Sequence, residues 1–323
     1  MSDTKVSGQR SSTPPARSVW IDGALVPWIE ARTSVLCHAM QRGSLVFDVA
    51  ALHETAGGTV ACFRARDHIG RFLRSAALVG LDVRWDKQTL LVATIRTARE
   101  SGLSKALVRW SAYIPTLEPD VVPRPSARAS VVIAVLGPAD AEVRGVPATP
   151  KPETVNVAMP RDTRKAGPEV LPPQAKVAAA YLGPCLAKRR ARSYGYDEIV
   201  LLDREGRVAE APTANVFAVL DGVLVSPPPE RVLAGITRAS VLEIARALGI
   251  ATREAHIKPD ELAGSDEAFL TATSLPIQAI ASVDGHAMRA GAPGPVTTRL
   301  KEALLACTRG ADPRFLHWLD PIA

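Results

Sequence analysis

The sequence lacks cysteine pairs and long apolar runs. Its four cysteines, at positions 37, 62, 185 and 307, lie far apart, and no two form a C-x-x-C pair. This spacing argues against a zinc site or a redox motif, and it favours a reducing cytoplasm. The longest apolar stretch, near residues 131–136, has the length of a strand and is too short to cross a bilayer. We therefore expect a cytoplasmic protein with neither a bound metal nor a membrane span.

Clustered positive charge is also scarce, although the chain is basic overall. Lys and Arg number 39 against 33 Asp and Glu, which gives a net charge of +6. The basic residues are scattered, and the one dense run, residues 188–192, follows a helical pattern typical of a solvated face. No aromatic residues are interleaved with it, and no nucleic-acid-binding motif is present. The charge is compatible with an acidic small molecule as partner, and nucleic acid is not expected.

Length and composition predict two domains. The 323 residues exceed what one hydrophobic core usually serves, and 47% apolar with 22% charged residues suit a globular chain with a large core. Residues 1–18 are rich in Ser, Thr, Pro and Arg and lack the apolar region of a secretory signal, so we expect a disordered tail. Residues 137–152 show no periodicity. The prediction is a small domain over 19–140, a linker over 141–152 and a large domain over 153–323.

Helical and strand patterns alternate along the chain. Apolar residues at helical spacing predict helices over residues 68–80, 88–99, 177–193, 237–248 and 295–308. Apolar runs bounded by turn residues predict strands over residues 19–26 (a pair), 106–114, 129–136, 154–159, 195–202, 208–210, 215–220, 223–226, 267–271 and 277–283. Ser240 and Glu243 have the spacing of a capping box within the fourth helix. The mixture indicates an α/β (α+β) fold class.

Lys176 is a lone cation among small apolar residues, in the segment QAKVAAAY at the predicted start of a helix. A solvated helix usually spaces its charges more densely, and small neighbours let a flat group approach the backbone. A desolvated lysine has a lowered pKa, which a Schiff-base nucleophile needs. By itself, however, this segment fits an ordinary lysine at a helix start better than a catalyst.

Three further segments carry groups that could bind a charged ligand. The run 235–238, GITR, precedes a helix, so backbone N–H groups and the Thr237 hydroxyl could form an anion site, although Thr237 could equally be a simple N-cap. The run 271–274, TATS, follows a strand and could complete a phosphate cup or form a plain turn. Glu210 ends an apolar strand, where its carboxylate could face either a pyridinium nitrogen or water.

Taken together, these groups match what pyridoxal phosphate (PLP) requires. That cofactor needs a lysine for its aldehyde, an acid for its ring nitrogen and an anion cup for its phosphate. The order Lys176, Glu210, Thr237, Thr273 resembles the fold type IV PLP enzymes, the class IV aminotransferases, and most closely their bacterial branched-chain members.

The resemblance extends over nearly the whole chain after residue 18. The segments that carry it are VWIDG with VPW (19–28), HAM with GSLVF (38–47), FR with HIGRF (63–72), Lys176 with Tyr181, Glu210, GITR (235–238), Thr273 and the closing WLD (318–320). The second resembles the family's H-A-x-x-Y-G-x-x-V-F segment, and the third resembles its F-R…H-x-x-R-L segment. Several motifs in family order argue against coincidence.

The resemblance implies a two-domain enzyme with a small N-terminal α/β domain and a larger C-terminal pseudo-barrel domain. It assigns the Schiff base to Lys176, the phenolic oxygen to Tyr181, the ring nitrogen to Glu210, and the phosphate to Arg71, Ile236, Thr237 and Thr273. Lys176 would also move the proton during amino transfer. The family further implies at least a homodimer, in which the substrate pocket borrows a loop from the neighbouring subunit.

Departures from the family pattern cluster on the substrate side. Its expected residues are Arg42, Gly43, Phe47, Leu107, Arg109 and Ser274. Arg42 and Leu107 stand where branched-chain enzymes usually carry tyrosine, and Asp48-Val49 replaces Glu-Gly. The kept Arg109 is associated with the side-chain carboxylate of glutamate, so 2-oxoglutarate is an expected acceptor. An amino-acid aminotransferase is the first hypothesis. A D-amino-acid or (R)-amine aminotransferase, an aminodeoxychorismate-lyase-like lyase and a non-catalytic PLP-binding protein remain alternatives.

Overall fold

The structure is a computed structural model, and it describes residues 17–138, 140 and 152–322. Nearly all of the predicted tail, 1–18, and of the predicted linker, 141–152, lies outside the described residues. The two-domain division therefore remains a prediction.

Sixteen strands and seven α-helices are numbered here in chain order within the described residues. The strands are β1 Ser18–Ile21, β2 Ala24–Pro27, β3 Val46–Glu54, β4 Val60–Phe63, β5 Ala106–Tyr113, β6 Ser130–Leu136, β7 Thr154–Ala158, β8 Glu198–Ile199, β9 Glu210–Ala211, β10 Ala214–Leu220, β11 Val223–Ser226, β12 Thr252–Glu254, β13 Glu267–Ala272, β14 Leu275–Val283, β15 His286–Ala287 and β16 Leu319–Pro321. The helices are α1 His38–Arg42, α2 Ala65–Leu78, α3 Lys87–Ser101, α4 Leu182–Ser193, α5 Ile236–Ala247, α6 Pro259–Ala263 and α7 Pro295–Thr308.

The first sheet is antiparallel throughout, in the order β16-β4-β3-β5-β6-β1-β2. Burial alternates strictly along β5, as expected for a strand with one face on the core. Val108 and Trp110 face the core with Phe72 of α2 and Leu90 of α3. The opposite face of β5 is therefore left to carry Arg109 toward the rest of the molecule.

The second sheet is mixed, in the order β12-β11-β10-β13-β14-β7-β8, with β9 beside β10 and β15 beside β14. Strands β10 and β13 lie at its centre and are buried almost throughout, which matches their apolar sequences. Phe217 and Phe269 stack on these strands with ring centroids 5.0 Å apart. Helices α5 and α7 cover that face of the sheet.

Lys176 lies on an extended segment that joins the two sheets, so its predicted place at a helix start is wrong. Val177 pairs with Val46, and the Lys176 carbonyl oxygen accepts the Phe47 amide at 3.0 Å. These bonds to β3 satisfy the backbone in an extended form. A 3-10 turn over Ala178–Tyr181 follows, and α4 begins only at Leu182.

Two other local predictions also differ from the structure. Helix α5 begins at Ile236 with Gly235 as its N-cap, so Ser240 lies one turn inside it. Ser240 Oγ donates to the Ile236 carbonyl oxygen instead of capping the helix. The strand predicted over 195–202 is reduced to Glu198–Ile199, while the other predicted helices and strands occur within a few residues of their expected bounds.

No helix in the described ranges has the length and apolar character needed to span a membrane. All four cysteines are free thiols, and only Cys185 is exposed.

Candidate active site

A cavity of about 690 Å³ lies between the two sheets and is lined from both. Eleven of the thirteen expected site residues line it. They are Phe47, Arg71, Leu107, Arg109, Lys176, Tyr181, Glu210, Ile236, Thr237, Thr273 and Ser274. Residues expected from five separate stretches of sequence therefore meet in one place.

Lys176 reaches into this cavity from a backbone that is held on both sides. Its amide donates to Ser75 Oγ at 3.1 Å, and its carbonyl oxygen accepts from Phe47. Its Nζ donates to the Tyr181 hydroxyl at 2.9 Å and lies 4.9 Å from the Phe47 ring centroid. Among the described residues it forms no ion pair with a carboxylate. The amine is therefore positioned for a ligand by a fixed backbone and one hydroxyl.

Glu210 is buried on β9, and both of its oxygens are held. Oε1 accepts from Lys165 Nζ, and Oε2 accepts from Asn215 Nδ2 and from the Leu233 amide, each at 3.1 Å. Neither Lys165 nor Asn215 was expected from the sequence. Lys165 comes from an irregular segment without periodicity, so only the folded chain brings it to Glu210.

Arg71 on α2 is fixed by a buried carboxylate that sequence reasoning noted without giving it a role. Asp48 Oδ2 accepts from Arg71 Nε and Oδ1 from Arg71 Nη2, both at 2.7 Å. His68 Nδ1 lies 2.8 Å from Asp48 Oδ1. Burial alone would raise the pKa of Asp48, but Arg71 and the hydrogen bonds from Arg71 and His68 hold that pKa well below its usual value. The available signal was a charged residue at an inward position of an apolar strand, facing a helix with His and Arg three residues apart.

The N-terminus of α5 forms an anion cradle beside Arg71. Its N-cap, Gly235, provides no side-chain hydrogen bond to the first turn. A Cβ built on Gly235 would lie 1.9 Å from Asn215 Oδ1, so a larger residue would displace the side chain that holds Glu210. The first-turn N–H groups of Ile236 and Thr237 therefore remain available to a ligand.

The residues present fit pyridoxal phosphate. The cavity joins a lysine amine, a buried carboxylate and a helix N-terminus next to an arginine, which match the aldehyde, the ring nitrogen and the phosphate. The Thr271 hydroxyl adds an independent indication, because it is buried at the cavity wall and has no hydrogen-bond partner.

The wall formed by β3 and β5 has a different character. Phe47 and Val49 of β3 line the cavity with Leu107 and Arg109 of β5, and Val49 lies directly opposite Arg109 in the ladder. The Arg109 guanidinium lies 4.1 Å from the Phe47 ring centroid, and Nε donates to Ser111 Oγ at 3.4 Å. Burial lowers the pKa of Arg109 slightly from a very high value, so it stays charged. It has no carboxylate partner among the described residues.

Gly43 and Arg42 lie outside this cavity wall. Gly43 ends α1 with φ of 70° and packs against Ala179, where an added Cβ would lie 3.4 Å from the Ala179 Cβ. Arg42 is exposed, and its guanidinium donates to the Gln41 carbonyl oxygen at 3.3 Å. Within one chain, Arg42 therefore does not contribute to the cavity.

Comparison with known proteins agrees with this geometry. A sequence model of the amino-transferase class IV family matches residues 46–283. The branched-chain-amino-acid aminotransferase of Salmonella typhimurium is 32% identical over 318 residues, which cover 96% of this chain and 99% of the relative. The chain belongs to the class IV aminotransferases.

Solved structures of the family superimpose closely. The branched-chain aminotransferase from Thermoproteus uzoniensis with norvaline gives a TM-score of 0.85 at 33% identity, over 95% of this chain and 99% of that one. The T.th. enzyme complexed with N-(5'-phosphopyridoxyl)-L-glutamate gives 0.87 at 32% identity, over 96% and 100%. The predicted fold class, the enzyme class and the cofactor of this class IV aminotransferase are confirmed.

Proposed function

We propose that this class IV aminotransferase moves the amino group of an amino acid with an apolar side chain to 2-oxoglutarate. The observation that carries the proposal is the wall of the cavity opposite the anion cradle. It is apolar at Phe47, Val49 and Leu107, yet it contains one guanidinium, Arg109, with no carboxylate partner among the described residues. Such a wall can receive an apolar donor side chain and, in the second half-reaction, the distal carboxylate of a dicarboxylic acid.

Each cofactor group has a matching partner in this chain. Lys176 Nζ would bind the aldehyde, with the Tyr181 hydroxyl 2.9 Å from that nitrogen and beside the phenolic oxygen. Glu210 would face the ring nitrogen. Arg71, the first-turn amides at Ile236 and Thr237, and Thr273 would hold the phosphate. When bound, the cofactor supplies an electron sink that lets the bond between the substrate carbon and its hydrogen ionise.

The chain's own groups then handle the proton and the orientation. Once a donor amine has displaced it, Lys176 Nζ is a free base in reach of the substrate carbon, and it can take up and return the proton there. Tyr181 holds that nitrogen in place through its hydroxyl. Lys165 keeps Glu210 paired with a cation, so the carboxylate remains an anion for the ring nitrogen to use.

A half-reaction assay tests the proposal. Purified holoenzyme should lose the visible absorption of the lysine-bound cofactor on addition of leucine, isoleucine or valine alone, and 2-oxoglutarate should restore it. Conversion by D-amino acids or (R)-amines in place of L-amino acids would assign the donor to those classes instead. Pyruvate release without a 2-oxo acid acceptor would indicate a lyase, and absence of any spectral change would indicate a non-catalytic binding protein.

The assembly we propose is a homodimer. Six large apolar residues, each more than half exposed, form what we call the loop patch: Val35, Leu36, Met40, Leu117, Val121 and Val122. His38 ties its two loops together, since its amide donates to the Thr116 carbonyl oxygen and its Nε2 lies 2.9 Å from the Val121 carbonyl oxygen. A monomer rarely exposes so many clustered apolar side chains, and a second copy would cover them.

Sedimentation of the wild type and of Val122→Asp tests the dimer. The wild type should sediment as a dimer or larger, and the variant should shift toward monomer because a buried charge would oppose the contact. A stable, active wild-type monomer would contradict the proposal. The reducing cytoplasm remains a prediction, and the four free thiols support it.

A further inference from the structure

Arg64 occupies a backbone conformation that arginine rarely adopts. It joins β4 to α2 with φ of 53° and ψ of 38°. The other three non-glycine residues with positive φ in the described ranges are Asp22, Asp221 and Asp284, a residue type that tolerates this region. A left-handed arginine costs roughly 1–2 kcal/mol, so the surrounding contacts must hold it in place.

The Arg64 side chain bridges the two halves of the molecule. Its guanidinium lies 4.8 Å from the Trp318 ring centroid, and Nε donates to Asp67 on its own helix at 2.6 Å. Nη1 crosses to α5, where it donates to Ser240 Oγ at 3.0 Å and to Glu243 at 3.2 Å. The side chain is only 12% exposed, so these are largely desolvated contacts.

Ser240 passes this contact on to the first residue of α5. The serine is fully buried, and its Oγ both accepts from Arg64 and donates to the Ile236 carbonyl oxygen at 3.0 Å. Two turns after Arg64 on the same side of α2, Arg71 Nη1 donates to the Ala234 carbonyl oxygen at 3.1 Å. The two arginines therefore hold α5 at two points, one on each side of its N-terminus.

We infer that Arg64 is a positioning residue that sets the separation between Arg71 and the first-turn amides of α5, and so preforms the cradle for the cofactor's phosphate. The inference rests on the proposed function, in which these groups hold that phosphate. Arg64 is absent from the described cavity wall, so it acts through Ser240 and the placement of α2. A preformed cradle binds its anion without reorganising, which is why a small shift of one half should weaken binding.

The test compares two ligands that differ only in the phosphate. Dissociation constants of pyridoxal phosphate and of pyridoxal are measured by absorbance for the wild type, Arg64→Met and Arg66→Met. The Arg64 variant should bind pyridoxal phosphate at least ~10-fold more weakly, which corresponds to about 1.4 kcal/mol, while pyridoxal binding changes less than ~2-fold. Arg66 is the matched control, because its ion pair with Asp320 is 58% exposed on the arginine side and does not contact α5.

Ser240→Ala provides a second variant that keeps every charge. It should lower the preference for pyridoxal phosphate over pyridoxal by at least ~3-fold, and this result decides the matter if Arg64→Met does not fold. Equal losses for both ligands, or no loss in either variant, would overturn the inference and leave Arg64 with a general structural role. A wild type that does not prefer the phosphorylated ligand would instead overturn the proposed function.

Discussion

The two sides of the cavity are held in different ways. On the cofactor side, Glu210 accepts three hydrogen bonds and Arg71 shares two with one carboxylate. On the substrate side, Arg109 has one long hydrogen bond to Ser111 and stacks on Phe47. One side is a cross-braced polar network, and the other is an apolar sheet face with a lightly held cation.

This difference follows from what each side must bind. The cofactor remains in place through both half-reactions, so rigid and fully paired groups suit it. The substrate wall must accept an apolar side chain and then an acidic one, and a long arginine on an aromatic ring can adjust between them. The departures at Val49 and Leu107 change the shape of that wall while leaving the cofactor side intact.

The largest expected effect is on the cofactor side, at Lys176. Lys176→Ala should keep the fold, because the backbone bonds to Phe47 and Ser75 remain. Its transamination rate should fall by at least ~10³-fold, since the proton-transfer group is lost. Initial rates with saturating pyridoxal phosphate measure this. Lys301→Ala, which removes an exposed lysine paired with Glu153, should retain wild-type rates.

Asp48→Asn should have the next largest effect, on stability. Removal of one charge leaves the Arg71 guanidinium buried without its counter-ion, and such losses cost about 3–5 kcal/mol. Urea unfolding of the holoenzyme measures the change. Asp162→Asn breaks an exposed pair with Arg190 and should cost less than ~1 kcal/mol. Equal effects of the two substitutions would show that the cofactor side is not specially braced.

Substitution of Arg109 should affect substrates without affecting the cofactor. For Arg109→Met we expect the KM for 2-oxoglutarate to rise ~10- to 100-fold, the value of one or two charge-assisted hydrogen bonds. The dissociation constant for pyridoxal phosphate should stay within ~2-fold. Arg109→Lys keeps the charge and should lose less. A parallel loss of cofactor binding would mean that the two sides are coupled.

The smallest effect should be the response of the braced side to pH. Burial lowers the pKa of His68 below 6.5, and the pKa of Asp48 lies below 3.8. The unfolded chain therefore binds more protons at both groups, so the free energy of unfolding should fall below about pH 6.5 and again below about pH 4. Unfolding at about pH 7 and pH 5.5 should show a smaller decrease for His68→Gln than for the wild type. His286→Gln, at an exposed site, should follow the wild type.

The sequence predicts the cofactor side well because its groups lie in short local patterns. A lysine in a small-residue run, a GITR turn before a helix and an acid at a strand end can each be identified from a few residues. Burial also follows the alternating pattern of β5, which places Leu107 and Arg109 on one face.

The remaining features depend on long-range pairing. Lys176 is extended because β3, some way back in the chain, supplies its backbone partner, and no local periodicity contains that information. The pairing of Lys165 with Glu210 and the bridge from Arg64 to Ser240 likewise join distant segments. Arg42 could be placed only by the structure, which shows it on the outside of α1.

The most direct measurement locates the covalent link between enzyme and cofactor. Purified holoenzyme is reduced with borohydride, digested and analysed by mass spectrometry. A phosphopyridoxyl group should be found on Lys176 and nowhere else, since this lysine alone lines the cavity without an ion pair in the described residues. A label on Lys165, or no label at all, would contradict the account.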